Sequence, residues 1–531
     1  MNPIRRSMIF IGALVFSACA ANPAPATPVE TAPDQKPTLV VMVLVDQLRA
    51  DLLDKYGDLW TGGFKRLRTQ GHDYVSATHD HAVTETAVGH AALSTGVYPS
   101  RHGIVSNAWY ELRDGKWILV SNVGDEGAKI IGQPTLPGAS PVNLMRTGLA
   151  DWIIKADSKS IIASASGKDR GAIQPAAHAK NGYVYWWDPT VGKFVTSTYY
   201  RDSNPSWIDS FNEGVQQRYR SDTVWASRIP ASMLGRSNKD SSESEGDGVH
   251  TAFPHAFASE GSPNAFWAWW TATPANDAAT IELAETMVTS LALGRDNSPD
   301  FLNLSVSVTD RVGHAFGPNS REQLDNLLRL DKELGAFLDF LDKTVGKNKW
   351  TVMLTADHGI LDTPEDLQAR GEYGHRITAS ERKTLDSLRL DADQAKDPKA
   401  AAVKLRDALK KLRIVGDAWT QEQLGRGQPA DSFEVLQRRS LFPGRKPGSF
   451  SRQGVEMRLI PGVLYAARGS SHGTTYYYDR HVPMIFMGPG IPAGRDASRA
   501  QTVDFAPTIA KILRIPFPGD LDGHPLTAVS H

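Results

Sequence analysis

The chain has 531 residues, of which 41% are hydrophobic, and its formal net charge is −1 at pH 7. This length allows one large α/β domain with insertions, or two to three domains of ordinary size, since a domain averages roughly 100 to 200 residues. The near-neutral net charge excludes the strongly basic surface that is typical of a nucleic-acid-binding protein, and it excludes a polybasic membrane-binding patch. A charged substrate must therefore be met by charges gathered locally at a site.

The first 20 residues have the three parts of a secretory signal peptide. Arg5 and Arg6 precede an apolar run over residues 8–16, and small residues around Ala18 follow. The alternative, a short buried helix, is disfavoured by the prolines that come next, which indicate a flexible linker over residues 21–37. We therefore predict a periplasmic or secreted protein.

Cys19 is the only cysteine, so neither an intramolecular disulfide nor a cysteine-based zinc site can form. Its place at the end of the apolar run suits a lipid anchor, which would make the protein a membrane-anchored lipoprotein. Phe16, three residues earlier, departs from the aliphatic residue usual in such signals. Ala18 and Ala20 also fit ordinary cleavage, which would leave a soluble periplasmic protein, and both alternatives stay open.

Metal-ligand side chains follow three apolar runs that resemble the buried strands of a parallel sheet. Residues 38–45 lead into Asp46, residues 301–308 into Asp310, and residues 350–354 into Asp357 and His358. Ligands of open α/β sheets bind outside the carboxyl ends of the strands, so these acids can converge despite their distance in sequence.

The remaining elements complete an α/β alternation with two interruptions. Two further strands are predicted at 160–165 and 482–487, and a leucine-rich stripe predicts a helix over 321–345. The interruptions are insertions at about 171–275 and 363–462 within a catalytic domain spanning 38–531. The first is rich in Trp and Tyr, which either form a cap over the site or are packing residues of the core.

Six side chains form two candidate metal sets. Asp310 and His314 are four residues apart, which places both on one face of a helix. Together with His472, from a glycine-flanked loop, they form one set, while Asp46, Asp357 and His358 form the other and Thr86 completes it. Nitrogen and oxygen ligands without sulfur favour zinc, with manganese as the alternative. Two adjacent ions are typical of hydrolases that grip the attacking and leaving oxygens of a phosphoryl group.

Thr86 opens an apparent helix and is the candidate nucleophile. A nearby cation lowers the pKa of a hydroxyl, and a helix N-terminus favours the anion that forms. The alternatives are that Thr86 only caps the helix, or that Thr84 is the nucleophile.

Three further side chains are candidates for holding the phosphoryl oxygens. Lys168 and Arg170 follow the strand at 160–165 and, as alternate residues of a strand extension, would point to the same face. An arginine can bind such oxygens through two parallel hydrogen bonds. Asn107 can donate an amide hydrogen bond to the same group. The alternative for Lys168 and Arg170 is a solvated surface pair.

Seven motifs jointly resemble the alkaline phosphatase superfamily, most closely its threonine-nucleophile, PafA-like branch, which is related to the nucleotide pyrophosphatases/phosphodiesterases. They are residues 45–49 (VDQLR), 86–96 (TAVGHAALSTG), 98–104 (YPSRHGI), 167–170 (GKDR), 309–314 (TDRVGH), 355–359 (TADHG) and 472–473 (HG). The resemblance runs from about residue 39 to 524. It implies an α/β fold whose largely parallel central sheet is flanked by helices on both faces, with inserted cap regions.

The resemblance also implies two zinc ions per subunit and a phosphothreonine intermediate at Thr86. The set of Asp310, His314 and His472 would bind the ion that activates water. The set of Asp46, Asp357 and His358 would bind the ion that activates Thr86, while Asn107, Lys168 and Arg170 would contact the phosphoryl group.

The leading hypothesis is therefore an exported zinc-dependent alkaline phosphatase that scavenges phosphate from small phosphate monoesters. The positive pair Lys168 and Arg170 favours monoesters, because a monoester dianion carries more charge than a diester. The alternatives are a phosphodiesterase or nucleotide pyrophosphatase of the same superfamily, and a non-catalytic metal-binding protein. We expect a monomer without nucleic-acid-specific binding.

Overall fold

The computed structural model describes residues 36–258 and 265–530. The predicted signal peptide at 1–20, Cys19, and the linker up to residue 35 lie outside the described residues. Within the described part, no helix is both long and apolar enough to cross a membrane.

The described part of the chain contains many short elements around a few long buried ones. The strands are β1 Leu39–Val45, β2 His72–Tyr74, β3 Ala77–Thr78, β4 Ala108–Arg113, β5 Lys116–Ser121, β6 Ile162–Ser166, β7 Tyr183–Asp188, β8 Lys193–Val195, β9 Val224–Trp225, β10 His255–Ala256, β11 Asp300–Val306, β12 Trp350–Thr355, β13 His375–Arg376, β14 Val415–Thr420, β15 Val455–Leu459, β16 Val463–Leu464, β17 Met484–Met487, β18 Gly494–Asp496 and β19 Ala500–Gln501. The α-helices are α1 Ala50–Lys55, α2 Gly63–Gln70, α3 Thr86–Thr95, α4 Pro99–His102, α5 Leu149–Ala156, α6 Asp169–Ala176, α7 Ser206–Tyr219, α8 Ala265–Trp270, α9 Pro274–Ser290, α10 Val308–Phe316, α11 Arg321–Leu341, α12 Pro364–Ala369, α13 Ala379–Asp393, α14 Pro398–Leu409, α15 Gln421–Leu424, α16 Ser432–Ser440, α17 Ser449–Arg452, α18 Tyr477–Arg480 and α19 Phe505–Ile512.

A nine-stranded sheet organises the molecule, in the order β18-β2-β17-β12-β1-β11-β6-β7-β8. The strands from β12 to β7 run parallel, as do β18 and β2, while β17 and β8 pair antiparallel with their neighbours. The sheet is therefore largely parallel, as the sequence predicts.

The two faces of the sheet are both covered by helices. Alternate residues of β1 enter different cores: Val41 and Val43 pack with α1, α2, α9 and α11, whereas Val40 and Met42 pack with α5, α6 and α19. A strand buried on both faces must be apolar throughout, which explains the uninterrupted run in the sequence.

The central parallel strands end in register at one edge of the sheet. Val45 pairs with Val306, and Leu44 pairs with both Ser305 and Thr355. The segments that follow β1, β11 and β12 therefore leave the sheet side by side, as the predicted convergence of their acids requires.

The predicted strand at 301–308 is too long, because β11 ends at Val306 and α10 begins at Val308. Asp277 explains the switch: its Oδ1 accepts the backbone N–H groups of Ser307 and Val308, at 2.8 and 3.1 Å. These two groups open α10 and would otherwise have no partner within the helix.

The predicted insertion at 171–275 is wrong in its first part, because β7 and β8 belong to the main sheet. Its aromatic side chains are packing residues rather than a cap: Trp187 contacts both Trp267 and Trp270, with ring centroids 5.4 and 4.7 Å apart, inside the core that includes β1. The region that contains the second predicted insertion includes a small core of its own, built from α13, α14, β14, β15 and β16.

Candidate active site

The six predicted metal ligands lie together at the carboxyl edge of the sheet, in two sets. Asp310, His314 and His472 each offer one ligand atom within 4.8 Å of the other two, and so do Asp46, Asp357 and His358. Asp46 directly follows β1, and Asp357 and His358 follow β12 after one intervening residue. Asp310 and His314 lie in α10, and His472 lies in the loop before α18.

The first set converges on a point between two imidazole nitrogens and a carboxylate. Nε2 of His314 lies 3.1 Å from Nε2 of His472, and the two nitrogens lie 3.2 and 3.5 Å from Oδ1 of Asp310. Ligands about 2.1 Å from a tetrahedral zinc ion lie roughly 3.4 Å from one another. The three atoms therefore have the spacing of a zinc coordination shell.

The protons of these histidines are on the other side of their rings. Nδ1 of His314 lies 3.0 Å from the carbonyl oxygen of Ser470, and Nδ1 of His472 lies 2.7 Å from that of Thr84, so each Nδ1 donates a hydrogen bond. A positive centre, either a proton or a cation, can therefore lie between the two facing Nε2 atoms. Although burial opposes the charged ring, the hydrogen bond and charge of Asp310 raise the pKa of His472 to about 9. The set attracts positive charge.

The second set is completely buried. Nδ1 of His358 lies 3.0 Å from the carbonyl oxygen of Gly359, and Nε2 lies 3.5 Å from Asp46 and 3.7 Å from Asp357. Neither Nε2 of His358 nor Oδ1 of Asp46 has a hydrogen-bond partner in the described parts of the chain. Burial lowers the pKa of His358 to about 3, which keeps the ring neutral and able to ligate. These donors fit a divalent ion such as zinc.

The two sets are in direct contact. The rings of His358 and His472 stack with centroids 3.6 Å apart. Lys168 spans both sets, since its Nζ lies 2.6 Å from Oδ2 of Asp46 and 2.5 Å from Oδ2 of Asp310. The site is thus one cluster of three acids, three histidines and a lysine.

Lys168 and Arg170 do not occupy a strand extension, contrary to the sequence prediction. Lys168 is the residue before α6 and Arg170 lies in its first turn, because β6 ends at Ser166. Lys168 is buried against carboxylates, so it is not a solvated surface residue. The Arg170 side chain remains 25% exposed, and its Nη1 is 3.6 Å from Asp169.

Thr86 is the first residue of α3, with Glu85 at the N-cap. The Thr86 side chain is 1% exposed, and it makes no hydrogen bond to another described residue, so it does not cap the helix. The rival hydroxyl of Thr84 is already engaged, since it donates to the carbonyl oxygen of Thr474 at 2.9 Å. The arrangement therefore favours Thr86 over Thr84 as the nucleophile.

Asn107 fulfils the capping role. Its Oδ1 accepts the N–H of Ala87 at 2.9 Å, and its own N–H donates to Glu85 at 2.7 Å. With Oδ1 fixed on α3, the Nδ2 amide is left as a donor beside the start of the helix that carries Thr86. This orientation of the amide follows from the Ala87 N–H that Oδ1 accepts. The contact of Asn107 with a phosphoryl group stays a prediction.

Two residues beside Thr86 fix α3 against the second set. A Cβ on Gly89 would lie 2.1 Å from the backbone oxygen of Asp357, so only glycine permits this approach. Nδ1 of His90 lies 2.8 Å from the carbonyl oxygen of Thr86 and 3.2 Å from Oδ2 of Asp357.

Sequence reasoning missed Gln47, which links the two sets. Its backbone N–H donates to Oδ1 of Asp357 at 3.1 Å, and its Nε2 donates to Oδ1 of Asp310 at 2.7 Å. Gln47 has a φ of 70°, which is unusual for a residue other than glycine. The signal was its place next to Asp46 in the motif VDQLR.

Arg311 is a second missed residue. It lies beside Asp310 in α10, within electrostatic reach of Arg170, Asp46 and Asp310, and burial together with Arg170 lowers its pKa. Across residues 36–258 and 265–530, no carboxylate forms an ion pair with Arg311 and no hydrogen bond involves its side chain. Arg170 and Arg311 thus add two guanidinium groups to the site, and guanidinium groups of this kind suit the binding of an anion.

Comparisons with known proteins find a family model and relatives that match most of the chain. The family model for type I phosphodiesterase / nucleotide pyrophosphatase matches residues 40–451. Alkaline phosphatase PafA of Elizabethkingia meningoseptica is 31% identical over 93% of this chain and 94% of the relative. Alkaline phosphatase PhoV of Synechococcus elongatus is 31% identical over 93% of this chain and 92% of the relative.

A solved structure is also similar. It is a crystal structure of a PafA variant in which a threonine, an asparagine, a lysine and an arginine are replaced. It superposes with a TM-score of 0.85 at 29% identity, covering 94% of this chain and 99% of the other.

Proposed function

Because this chain belongs to the type I phosphodiesterase / nucleotide pyrophosphatase family and is a phosphoric monoester hydrolase of the PafA-like alkaline phosphatase branch, we propose that it acts through Thr86 with two zinc ions. The observation that carries the proposal is the pair of adjoining ligand sets. One contains three donor atoms separated by 3.1 to 3.5 Å. The other contains Nε2 of His358 and Oδ1 of Asp46, which are buried and have no hydrogen-bond partner among the described residues.

Asp310, His314 and His472 would hold one ion, and Asp46, Asp357 and His358 the other. When bound, such ions lower the pKa of nearby hydroxyls and neutralise charge on the attacking and leaving oxygens of a phosphoryl group. The number and nature of the donors fit zinc, and sulfur is missing from both sets.

Thr86 supplies the nucleophile of the proposed reaction. Its Oγ1 loses its proton and attacks phosphorus, the ester P–O bond breaks, and the leaving alkoxide takes up a proton to depart as the alcohol. Water then attacks the phosphothreonine, releasing inorganic phosphate and restoring the hydroxyl. The N-terminus of α3 favours the negative charge that develops on Oγ1.

The charges around Thr86 favour a monoester over a diester. Nδ2 of Asn107 can donate to a non-bridging oxygen, and the guanidinium groups of Arg170 and Arg311 offset the second negative charge of a monoester dianion. Lys168 would contact the same phosphoryl group, and its ammonium, which bridges Asp46 and Asp310, also balances the carboxylates of both sets. The substituted residue types of the PafA variant, a threonine, an asparagine, a lysine and an arginine, occur here as Thr86, Asn107, Lys168 and Arg170.

The cellular role completes the proposal. The predicted signal peptide at 1–20 supports a periplasmic or secreted enzyme, either anchored as a lipoprotein through Cys19 or soluble in the periplasm. Small phosphate esters would be its substrates, and the near-neutral charge of −1 argues against nucleic-acid-specific binding. We propose that the enzyme works as a monomer that scavenges phosphate.

A covalent test decides the role of Thr86. Acid-quenched enzyme incubated with p-nitrophenyl phosphate should carry a phosphoryl group on Thr86 in peptide mass spectrometry, and Thr86→Ala should carry none and lose turnover. Thr84→Ala is the matched control and should still be phosphorylated on Thr86. A phosphorylated Thr84, or full turnover by Thr86→Ala, would contradict the proposal.

A second test concerns substrate charge. Arg170→Ala and Arg311→Met should each reduce kcat/KM for p-nitrophenyl phosphate more than for bis-p-nitrophenyl phosphate, while the exposed control Arg413→Met should change neither. Lys168→Ala is a poor probe because it also disturbs both carboxylates. A wild-type enzyme that prefers the diester would support the phosphodiesterase alternative instead.

A further inference from the structure

A third group of metal-ligand side chains lies outside the active site. Asp247, His250 and His255 each place one ligand atom within 4.8 Å of the others. The segment that carries them is fastened behind α10, since the N–H of Gly246 donates to the carbonyl oxygen of Ala315 at 2.8 Å. Ala315 directly follows His314.

His255 has the second contact that is typical of a metal-bound histidine. Its Nε2 lies 3.0 Å from Oε1 of Glu322, and both side chains are at most 1% exposed. A carboxylate that accepts one ring N–H orients the imidazole and leaves the other nitrogen basic. That other nitrogen, Nδ1, is buried and has no hydrogen-bond partner in the described chain. An unpartnered buried nitrogen normally carries a free-energy cost.

The His255 ring cannot easily turn to satisfy Nδ1 in another way. Trp225 stacks on it with centroids 5.0 Å apart, and the rings of Phe253 and Phe316 meet it edge-on at 4.8 and 5.1 Å. These aromatic walls hold the imidazole in one orientation, with the His250 ring 5.0 Å away.

The remaining two ligands face the same point from the surface. Oδ1 of Asp247 accepts the N–H groups of Val249 and His250 at 2.8 and 2.7 Å, which fixes the carboxylate. Its other oxygen, Oδ2, lies 3.0 Å from Nδ1 of His250. The two side chains are 28% and 14% exposed, so an ion has access from solvent and the ligands can adjust around it.

We propose that Asp247, His250 and His255 form an additional divalent-cation site of the zinc class, with Glu322 orienting His255. Two imidazoles and one carboxylate are a frequent zinc ligand set, and water completes the fourth position. The ion has a structural role: it joins the segment around residue 250 to α11, which carries Glu322, and to the end of α10, which carries His314. This site is independent of how many ions the active site holds.

The test measures the zinc content of the full chain. The protein is purified in the presence of zinc, and loosely bound metal is then removed. Asp247→Asn and His250→Ala should each lower bound zinc by one equivalent per chain relative to the wild type. His375→Ala is the matched control and should keep the wild-type zinc content. His375 pairs with Glu381 at 2.8 Å and belongs to none of the metal-ligand groups found among the described residues. An unchanged content in both Asp247→Asn and His250→Ala would overturn the proposal.

Crystallography shows where the ion binds. It also distinguishes loss of zinc at this site from loss of zinc caused indirectly by a disturbed active site. Anomalous scattering at the zinc absorption edge should show a peak between His250 and His255 in the wild type, and the peak should persist in the active-site variant Asp46→Asn. A loss of zinc from His250→Ala without a wild-type peak at this position would show that the variant disturbs the active site instead, and would refute the site.

Discussion

The side-chain amide of Gln47 donates a hydrogen bond to Oδ1 of Asp310 across 2.7 Å, although 263 residues separate them in the chain. Since the backbone N–H of Gln47 also donates to Asp357, this residue connects a ligand of each set. Gly313 makes room for it, because a Cβ there would lie 1.8 Å from Oε1 of Gln47. To make these contacts, Gln47 adopts a left-handed backbone conformation with a φ of 70°, which is unfavourable for a residue other than glycine.

Gln47→Gly should weaken metal binding without straining the backbone, because glycine adopts a positive φ freely. Loss of a residue that orients metal ligands typically reduces affinity about 10- to 100-fold. We expect the variant to lose activity at a correspondingly lower concentration of chelator, and to regain it when zinc is restored. Asn181→Gly, an exposed position with a φ of 68°, is the control and should behave as the wild type. Equal chelator sensitivity of all three proteins would show that Gln47 does not support the ligands.

The sequence permits prediction of side chains whose position follows from local periodicity. Asp46 and Asp357 follow buried strands, and the spacing of Asp310 and His314 matches a helix, so their convergence could be expected. Gln47 and Arg311 reach the site only because distant segments come together, which requires the register of β1, β11 and β12. Lys168 was misplaced because nothing local distinguishes a strand extension from the residue that precedes a helix.

Gly89→Ala tests whether α3 must approach the second ligand set this closely. The added Cβ would lie 2.1 Å from the backbone oxygen of Asp357, so either α3 or the segment after β12 must move. Overpacking of this kind costs about 1 to 3 kcal/mol, and the shift displaces Thr86. We expect a lower melting temperature and a kcat reduced at least 10-fold, measured by thermal unfolding and by p-nitrophenyl phosphate turnover. Gly235→Ala, where a Cβ meets no atom within 4 Å, should leave both unchanged. Wild-type kcat in Gly89→Ala would show that this contact does not position Thr86.

Asn107→Asp separates the two roles assigned to Asn107. Aspartate keeps an oxygen for the N–H of Ala87 and suits a helix N-terminus, so stability should be preserved. It removes the Nδ2 donor, and loss of one donor to a developing charge typically costs about 100- to 1000-fold in rate. Asn107→Ala removes both functions and should also lower stability by about 1 kcal/mol. Paired measurements of kcat/KM and of urea unfolding check this, and an Asn107→Asp enzyme with full activity would contradict the donor role.

Asp277→Asn tests how the buried cap of α10 depends on pH. Burial raises the pKa of Asp277 to about 7, although the N–H groups of Ser307 and Val308 favour its anion. An aspartate in the unfolded chain titrates near pH 3.9, so the folded state holds this proton more tightly between the two values. The stability contributed by the carboxyl is therefore complete below about pH 4 and is lost as the pH rises through about 7.

Asparagine resembles the protonated acid and keeps an oxygen for both N–H groups, so the variant should match the wild type near pH 4.5. At pH 8 it should be more stable, by on the order of 1 to 3 kcal/mol, because only the wild type must bury a charge. Urea unfolding at pH 4.5, 6 and 8 measures this difference, with the exposed Asp202→Asn as the control. If the free energies of Asp277→Asn and the wild type differ by the same amount at all three pH values, the carboxyl is already ionised in the folded protein throughout this range. The cap would then be held by neighbouring positive charge, with Arg311 and Lys168 as sources that favour the Asp277 anion.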